Sequence, residues 1–306
     1  MAEKQSFSIK GNRKNKALVE HVAEAVFTVC ALLAVVAVAS ITVYMIINGT
    51  PALFKVGIKE ILFGTVWQPA AKDPSFVILT SIVGTTAAVL IGAPVGILTA
   101  VFIEEIASPR LAAIVKPAVE LLAGIPSVIY GLLGIYLLNP MMYKLEIALF
   151  ADAPDHQFTG GANLISAVIV LAVMILPTVI NVTVSALHAV PKQQKAASLA
   201  MGATRIQTIF KVLLPSARSG IAAAVVLGTG RAIGEAMAIT LVSGSSVNMP
   251  LPFNSVRFLT TAIVAEMGYA AGLHRQVLFT IGLVLFVFIM FINISLTKIL
   301  KGREDS

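Results

Sequence analysis

Arg231 and Glu235 stand in a stretch, about residues 219 to 244, that is otherwise apolar. A charge near the middle of a bilayer costs about 2.5 to 3.5 kcal/mol on insertion scales, so both residues need a reason to be there. Spaced i, i+4, they share a face of a continuous helix and can pair. One role is a structural ion pair, with Gly228, Gly230 and Gly234 letting a neighbouring backbone approach closely. The other is a substrate pathway in which Arg231 meets a passing oxyanion, for which a guanidinium fork is geometrically suited. Glu235 would then hold Arg231 and compete with the ligand, keeping binding weak enough for release. Glu120 is a further pathway candidate, one turn after Lys116 and just before Gly124, Pro126 and Gly131. Pairing with Lys116 and a gating role are both open to it, and Pro126 in mid-span predicts a kink.

Other polar groups carry less. Glu266 reads as a solvated or external contact residue. His156, His188 and His274 are isolated from one another and from carboxylates at ligand spacing, so no metal site is expected. Cys30 is the single cysteine and lies in an apolar run, which excludes an intrachain disulfide and gives it no function. No Gly-x4-Gly-Lys-Ser/Thr loop occurs, and Gly228-Thr-Gly230 with Gly234 reads as packing glycine, so the chain is not expected to hydrolyse ATP. Neither HExxH nor Gly-x-Ser-x-Gly is present, and no catalytic residue is assigned.

The elements that must position these groups follow from composition. Of 306 residues, 58% are hydrophobic and 12% charged, and the mean hydropathy is +0.92. A soluble domain carries roughly a quarter charged residues, so this chain is an integral membrane protein. A helix needs about 20 apolar residues to cross the hydrocarbon. Five runs qualify, at about 25 to 47, 76 to 103, 112 to 138, 163 to 187 and 276 to 297; the sixth, 219 to 244, holds Arg231 and Glu235. The runs lack the period-2 alternation of membrane strands, which leaves an all-α, six-helix architecture.

The formal charge of +7 would suggest nucleic acid in a soluble protein, but here its distribution sets topology. With the N-terminus inside, fifteen Lys and Arg fall in inner segments and six in outer ones, with Arg231 in a span. Both termini are therefore expected in the cytoplasm. A basic start followed by an apolar run and Ala37-Val38-Ala39 also resembles a cleaved secretory signal. Cleavage there would discard most of a complete span, which favours an uncleaved first helix. The division expected is a basic N-terminus over 1–20, a first helix and periplasmic segment over 21–74, a transmembrane domain over 75–300, and a tail over 301–306.

Residues 188–218 are not explained by spanning. They carry five Lys and Arg and no acid, yet remain patterned for helices. Pro191 opens a helix over 192–201, Gly202 ends it, and Thr204 caps a second helix over 205–214 before Pro215. Ile206, Ile209, Phe210 and Leu213 give the second helix an apolar stripe.

Lys195-Ala-Ala-Ser-Leu-Ala-Met-Gly202, nine residues, then Val212-Leu213-Leu214-Pro215 resembles the EAA signature of ABC-importer permeases. That signature is Glu-Ala-Ala, three residues, Gly, nine residues, then Ile, any residue, Leu-Pro. Ala196 stands at the Glu position, Ala197 matches, Ser198 replaces the second Ala, and the spacing from Gly202 to Leu214 and Pro215 is intact. Three more stretches resemble the PstC branch, the permeases of phosphate-specific importers. They are Glu120-Leu-Leu-Ala-Gly-Ile-Pro-Ser-Val-Ile-Tyr-Gly131, Gly230-Arg-Ala-Ile-Gly-Glu-Ala-Met-Ala238 and Thr260-Thr-Ala-Ile-Val-Ala-Glu-Met-Gly268.

The resemblance implies the type I ABC importer permease fold and transport of inorganic phosphate into the cytoplasm across a prokaryotic plasma membrane. It implies that 192–215 is a coupling element docking on a separate ATPase. The partners implied are a PstA-like second permease, an ATPase subunit dimer and a periplasmic or lipid-anchored phosphate-binding protein. ATP and Mg belong to the ATPase, and no cofactor or nucleic acid is expected in this chain. Rival readings are a permease for another cargo such as molybdate, sulfate or an amino acid, an ATP-independent secondary transporter or channel, and a membrane sensor of phosphate. A secondary transporter is expected to show internal repeats, which are not evident.

Overall fold

The computed structural model describes residues 13–57, 79–154, 156–246 and 248–301. Within them the chain is helical; the β pairing is an isolated bridge between Gly244 and Val256. Five helical segments are long and apolar enough to cross a membrane: Glu20–Val56, Ile82–Ile106, Ser127–Phe150, Leu164–His188 and Gly272–Ser295.

The first segment belongs to α1 (Arg13–Val56). The second is α2 (Leu79–Val101), extended by a π turn over Phe102–Ile106; the residues where the expected span began, 76 to 78, lie outside the described ones. The fourth is α6 (Leu164–His188), the most enclosed helix, capped by the Asn163 side chain on the Ser166 N–H. The fifth is α13 (Gly272–Lys301).

The third span is displaced from the expected 112 to 138. Residues Pro109–Gly124 form a separate helix, α3, capped by Ser108, and the chain breaks at Ile125 and Pro126. The spanning segment starts beyond the break as α4 (Ser127–Leu133), a π turn over Gly134–Leu138 and α5 (Asn139–Phe150). Pro126 therefore begins a helix, where its missing N–H costs nothing, rather than kinking one.

The expected straight helix over 219 to 244 is likewise broken. α10 (Arg218–Gly234) has 17 residues, and α11 (Met237–Val242) follows after Glu235 and Ala236. α10 reaches spanning length only together with the preceding Arg205–Ser216 segment, from which it bends by 72°. α12 (Leu259–Glu266) completes the outer connection to α13.

Small residues set the packing. A Cβ at Gly92 or Gly96 of α2 would lie 2.6 Å from Ile175 Cδ1 or 2.7 Å from Val179 Cγ1 of α6. A Cβ at Gly228 of α10 would lie 2.8 Å from Val179 Cγ2. α6 is thus held between α2 and α10 by close approach, the device expected where lipid supplies no hydrophobic drive between helices. Gly230 and Gly234, expected to act the same way, face open space. α1 lies apart from that core and packs on α13, where Thr280 Oγ1 donates to Gly49 O at 2.7 Å and Tyr44 meets Phe279 edge-on.

Candidate functional site

Arg231 lies in the last turn of α10, half-buried. Among the described residues no carboxylate stands within ion-pair distance of it. The expected Arg231–Glu235 pair is not formed, because the helix ends at Gly234 and the i, i+4 relation ends with it. Glu235 takes an extended backbone (φ −76, ψ 126), and its Oε1 accepts from the Ala238 N–H at 2.9 Å. Its carbonyl accepts from the Thr260 hydroxyl at 2.7 Å. The break is thus closed by a side chain on one side and a hydroxyl from α12 on the other, which satisfies polar groups that lipid could not.

The second break lies beside the first. A Cβ at Gly131 of α4 would approach Leu241 Cδ1 to 2.6 Å and Ala238 Cα to 2.9 Å, so α4 and α11 touch almost backbone to backbone. Tyr130 on α4 bridges its own break by donating to Leu122 O at 2.8 Å. Two interrupted helices therefore meet with a guanidinium at their junction. In membrane transporters such non-helical backbone is tolerated where it is enclosed by protein or lines a cavity.

Glu120 does not join this group. It is exposed on α3 and has no ion pair among the described residues. Lys116, its expected partner, reaches Glu104 Oε2 at 3.0 Å instead.

Three buried or half-buried glutamates each stand on a histidine, and two of them, Glu104 and Glu146, carry no reading from the sequence. Glu104 Oε1 meets His188 Nδ1 at 2.9 Å. Glu146, fully buried, takes His156 Nε2 at 3.0 Å and the Thr159 N–H at 3.0 Å. Glu266, expected to be a solvated or external contact residue, is buried and sits between Arg257 and His274, the latter at 2.6 Å. The histidines are therefore not isolated from carboxylates: the contacts join residues 84, 10 and 8 apart in sequence, and nothing local marks them. His156 and Thr159 also border a cavity of about 740 Å³ whose other wall includes Ser246, Asn248, Asn254 and Ser255.

The 188–218 element folds as its sequence indicates at the ends of its first helix. α7 spans Lys192–Ala200 and Gly202 adopts φ +86. Thr204 caps α8 (Arg205–Thr208) in a capping box with Gln207. The expected single helix to 214 instead passes through a π turn over Ile209–Leu213 into α9 (Leu214–Ser216), with Pro215 near the start of that turn. The stripe divides: Ile209 and Leu213 are buried, while Ile206 and Phe210 are exposed. Ala196, Ala197 and Ser198 lie on α7, none of whose residues is buried. The element rests on a small core of Val101, Leu187, Ile209, Leu213 and Ala217.

Known proteins place this arrangement. The chain is 38% identical over 302 residues to a probable ABC transporter permease protein, YqgH, of Bacillus subtilis, covering 96% of this chain and 94% of that protein. It is 30% identical to the phosphate transport system permease protein PstC of Haemophilus influenzae, covering 89% and 90%. It is 32% identical to that of Mesorhizobium japonicum, covering 95% and 92%. Among solved structures it is similar to the MetNI methionine ABC transporter in inward-facing conformations, with 23% identity, a TM-score of 0.48, and 73% of this chain and 90% of that chain covered. Residues 92–304, which hold both helix breaks and the 188–218 element, match the binding-protein-dependent transport system inner membrane component, and the chain belongs to that family.

Proposed function

We propose that this chain is the permease subunit of an ATP-driven importer that carries inorganic phosphate into the cytoplasm. The observation that carries the reading is Arg231, a half-buried guanidinium without a carboxylate partner among the described residues, at the junction of two interrupted helices. A guanidinium fork binds oxyanions in two-point fashion. The relatives named as phosphate transport permeases support phosphate as the oxyanion.

Glu235 has a different part from the one its spacing suggested. Its carboxylate fixes the start of α11 and leaves Arg231 free for the anion, while its negative charge near the path keeps the anion from settling there. Glu120, away from the junction, acts from the cytoplasmic approach. Both termini lie inside, as the positive-inside count requires.

α7 is the docking surface for a partner ATPase, with Ala196, Ala197, Ser198 and Gly202 on or ending it and Leu214 and Pro215 closing the element behind. The ATPase, as a dimer, holds the ATP and Mg. A PstA-like second permease completes the pathway, and a phosphate-binding protein delivers cargo outside. The test is radiolabelled phosphate uptake in a host lacking its own high-affinity importer, with the chain expressed beside its genomic neighbours. ATP-dependent uptake is expected. Uptake of molybdate or sulfate, but not phosphate, by the assembled complex would replace the cargo.

A further inference from the structure

We infer that Glu105 and Lys195 form the strut through which α7 moves the membrane helices. This rests on the reading of α7 as the docking element. A helix can transmit a push only through groups that hold it, and α7 buries no side chain. Its holds are polar. Ser198 exchanges a hydrogen bond with Thr208 at 2.9 Å, and Gln194 accepts from Ser216 at 2.7 Å. Both tie α7 to its own element. Among the hydrogen bonds of the described residues, Lys195 alone reaches outside it, to Glu105 Oε2 at 2.5 Å across 90 residues of sequence.

Glu105 is well placed to receive a load. It sits in the π turn that ends α2, with its side chain only 9% exposed. The adjacent Glu104 anchors the same turn to α3 through Lys116 and to α6 through His188. α2 in turn lies against α6 at Gly92 and Gly96, and α6 against α10 at Gly228, with too little room for a Cβ. Close-packed contacts do not absorb displacement, so a shift of Lys195 passes by α2 and α6 to the helix that carries Arg231. Glu105 and Lys195 are positioning residues: they touch neither ATP nor anion. The pair also accounts for an acidic doublet at the foot of a span opposite a loop holding five cations.

The experiment reads how strongly the binding protein stimulates ATP hydrolysis by the full complex in proteoliposomes, since that signal must cross the permease from outside to inside. The variants are Glu105→Gln, Lys195→Gln, the double neutral pair and the charge swap Glu105→Lys with Lys195→Glu. The double neutral pair leaves no unpaired charge, so its complex assembles even if a single variant does not. Stimulation is expected to fall about fivefold or more in the neutral variants, the size of an ordinary allosteric coupling, with the ATPase still bound, and to return in the swap. Undiminished stimulation in the double neutral pair overturns the strut. A swap as weak as the neutral variants overturns it too, because position without pairing is then what matters. A wild-type complex that is not stimulated at all rejects the docking reading itself, and the strut with it.

Discussion

The carboxylate of Glu235 accepts the Ala238 N–H at 2.9 Å, and so a charged side chain, not a helical turn, joins α10 to α11. Glu235→Gln keeps an acceptor oxygen at that place and removes the charge; Glu235→Ala removes both. Losing a side-chain to backbone hydrogen bond of this kind costs about 1 kcal/mol. Thermal unfolding of the detergent-solubilised complex is expected to separate them, Glu235→Ala unfolding at lower temperature and Glu235→Gln near wild type. Uptake should fall in both. A Glu235→Gln complex with normal uptake would show that the hydrogen bond to Ala238 is the whole role.

Arg231 has no comparable structural duty among the described residues. Arg231→Lys keeps the charge and loses the fork, and Arg231→Ala loses both. Assembly is expected to survive in each, with uptake lost in Arg231→Ala and sharply reduced in Arg231→Lys, measured at matched complex levels. Normal uptake in Arg231→Ala would demote the residue to packing.

The sequence made the outline of this site legible, and its details followed distance along the chain. Gly202 and Thr204 could be placed because a helix end is a local matter of φ and of one side chain reaching three residues ahead. The apolar spans could be counted because bilayer thickness sets one length for all of them. Arg231 and Glu235 drew notice for the cost of charge in lipid, but their pairing assumed a helix that Glu235 itself ends. Pro126 predicts a kink in mid-span and instead opens a new helix, whose Gly131 packs against Ala238, a contact that no local pattern announces. Glu105 and Lys195 were beyond reach for the same reason, although five cations without a nearby acid implied that counter-charges lay elsewhere.

Glu146 has no exposed surface and receives His156 and the Thr159 N–H and hydroxyl, so it holds residues 156–159 to α5. Leaving a buried donor without its acceptor costs about 1 to 3 kcal/mol, and Glu146 serves more than one donor. Glu146→Ala is expected to unfold well below wild type in a denaturant titration. Glu146→Gln, which keeps one acceptor oxygen, should recover part of the loss. Equal stability of Glu146→Ala and wild type would refute the anchoring role.

Gly161 and Gly202 share a left-handed backbone, at φ +66 and +83 for Gly160 and Gly161 and +86 for Gly202, but not their surroundings. A Cβ on Gly161 would stand 1.9 Å from the Asn139 carbonyl oxygen, whereas one on Gly202 meets nothing within 4 Å. Gly202→Ala should therefore carry only the conformational cost of about 1 to 2 kcal/mol. Gly161→Ala adds a backbone collision and should prevent stable assembly. Comparable yields of the two complexes after membrane extraction would contradict this ranking.

Met201 gives the most direct test of where the ATPase sits. The residue is 89% exposed, directly after α7 and before the turn at Gly202, so no described residue covers it. The one native cysteine, Cys30, is exposed and lies far along the sequence in α1, so a Cys30→Ser background leaves a single reporter. Met201→Cys in that background should be captured by a thiol-directed crosslinker to an ATPase subunit. Phe158→Cys, on the loop that borders the polar cavity, should not be, since that loop faces the opposite side in the proposed orientation. ATP is expected to change the yield at Met201, because the docking helix moves with the ATPase while a passive basic loop would not. Capture at Phe158 in place of Met201 would invert the topology, and capture at neither in an assembled complex would remove α7 from the interface.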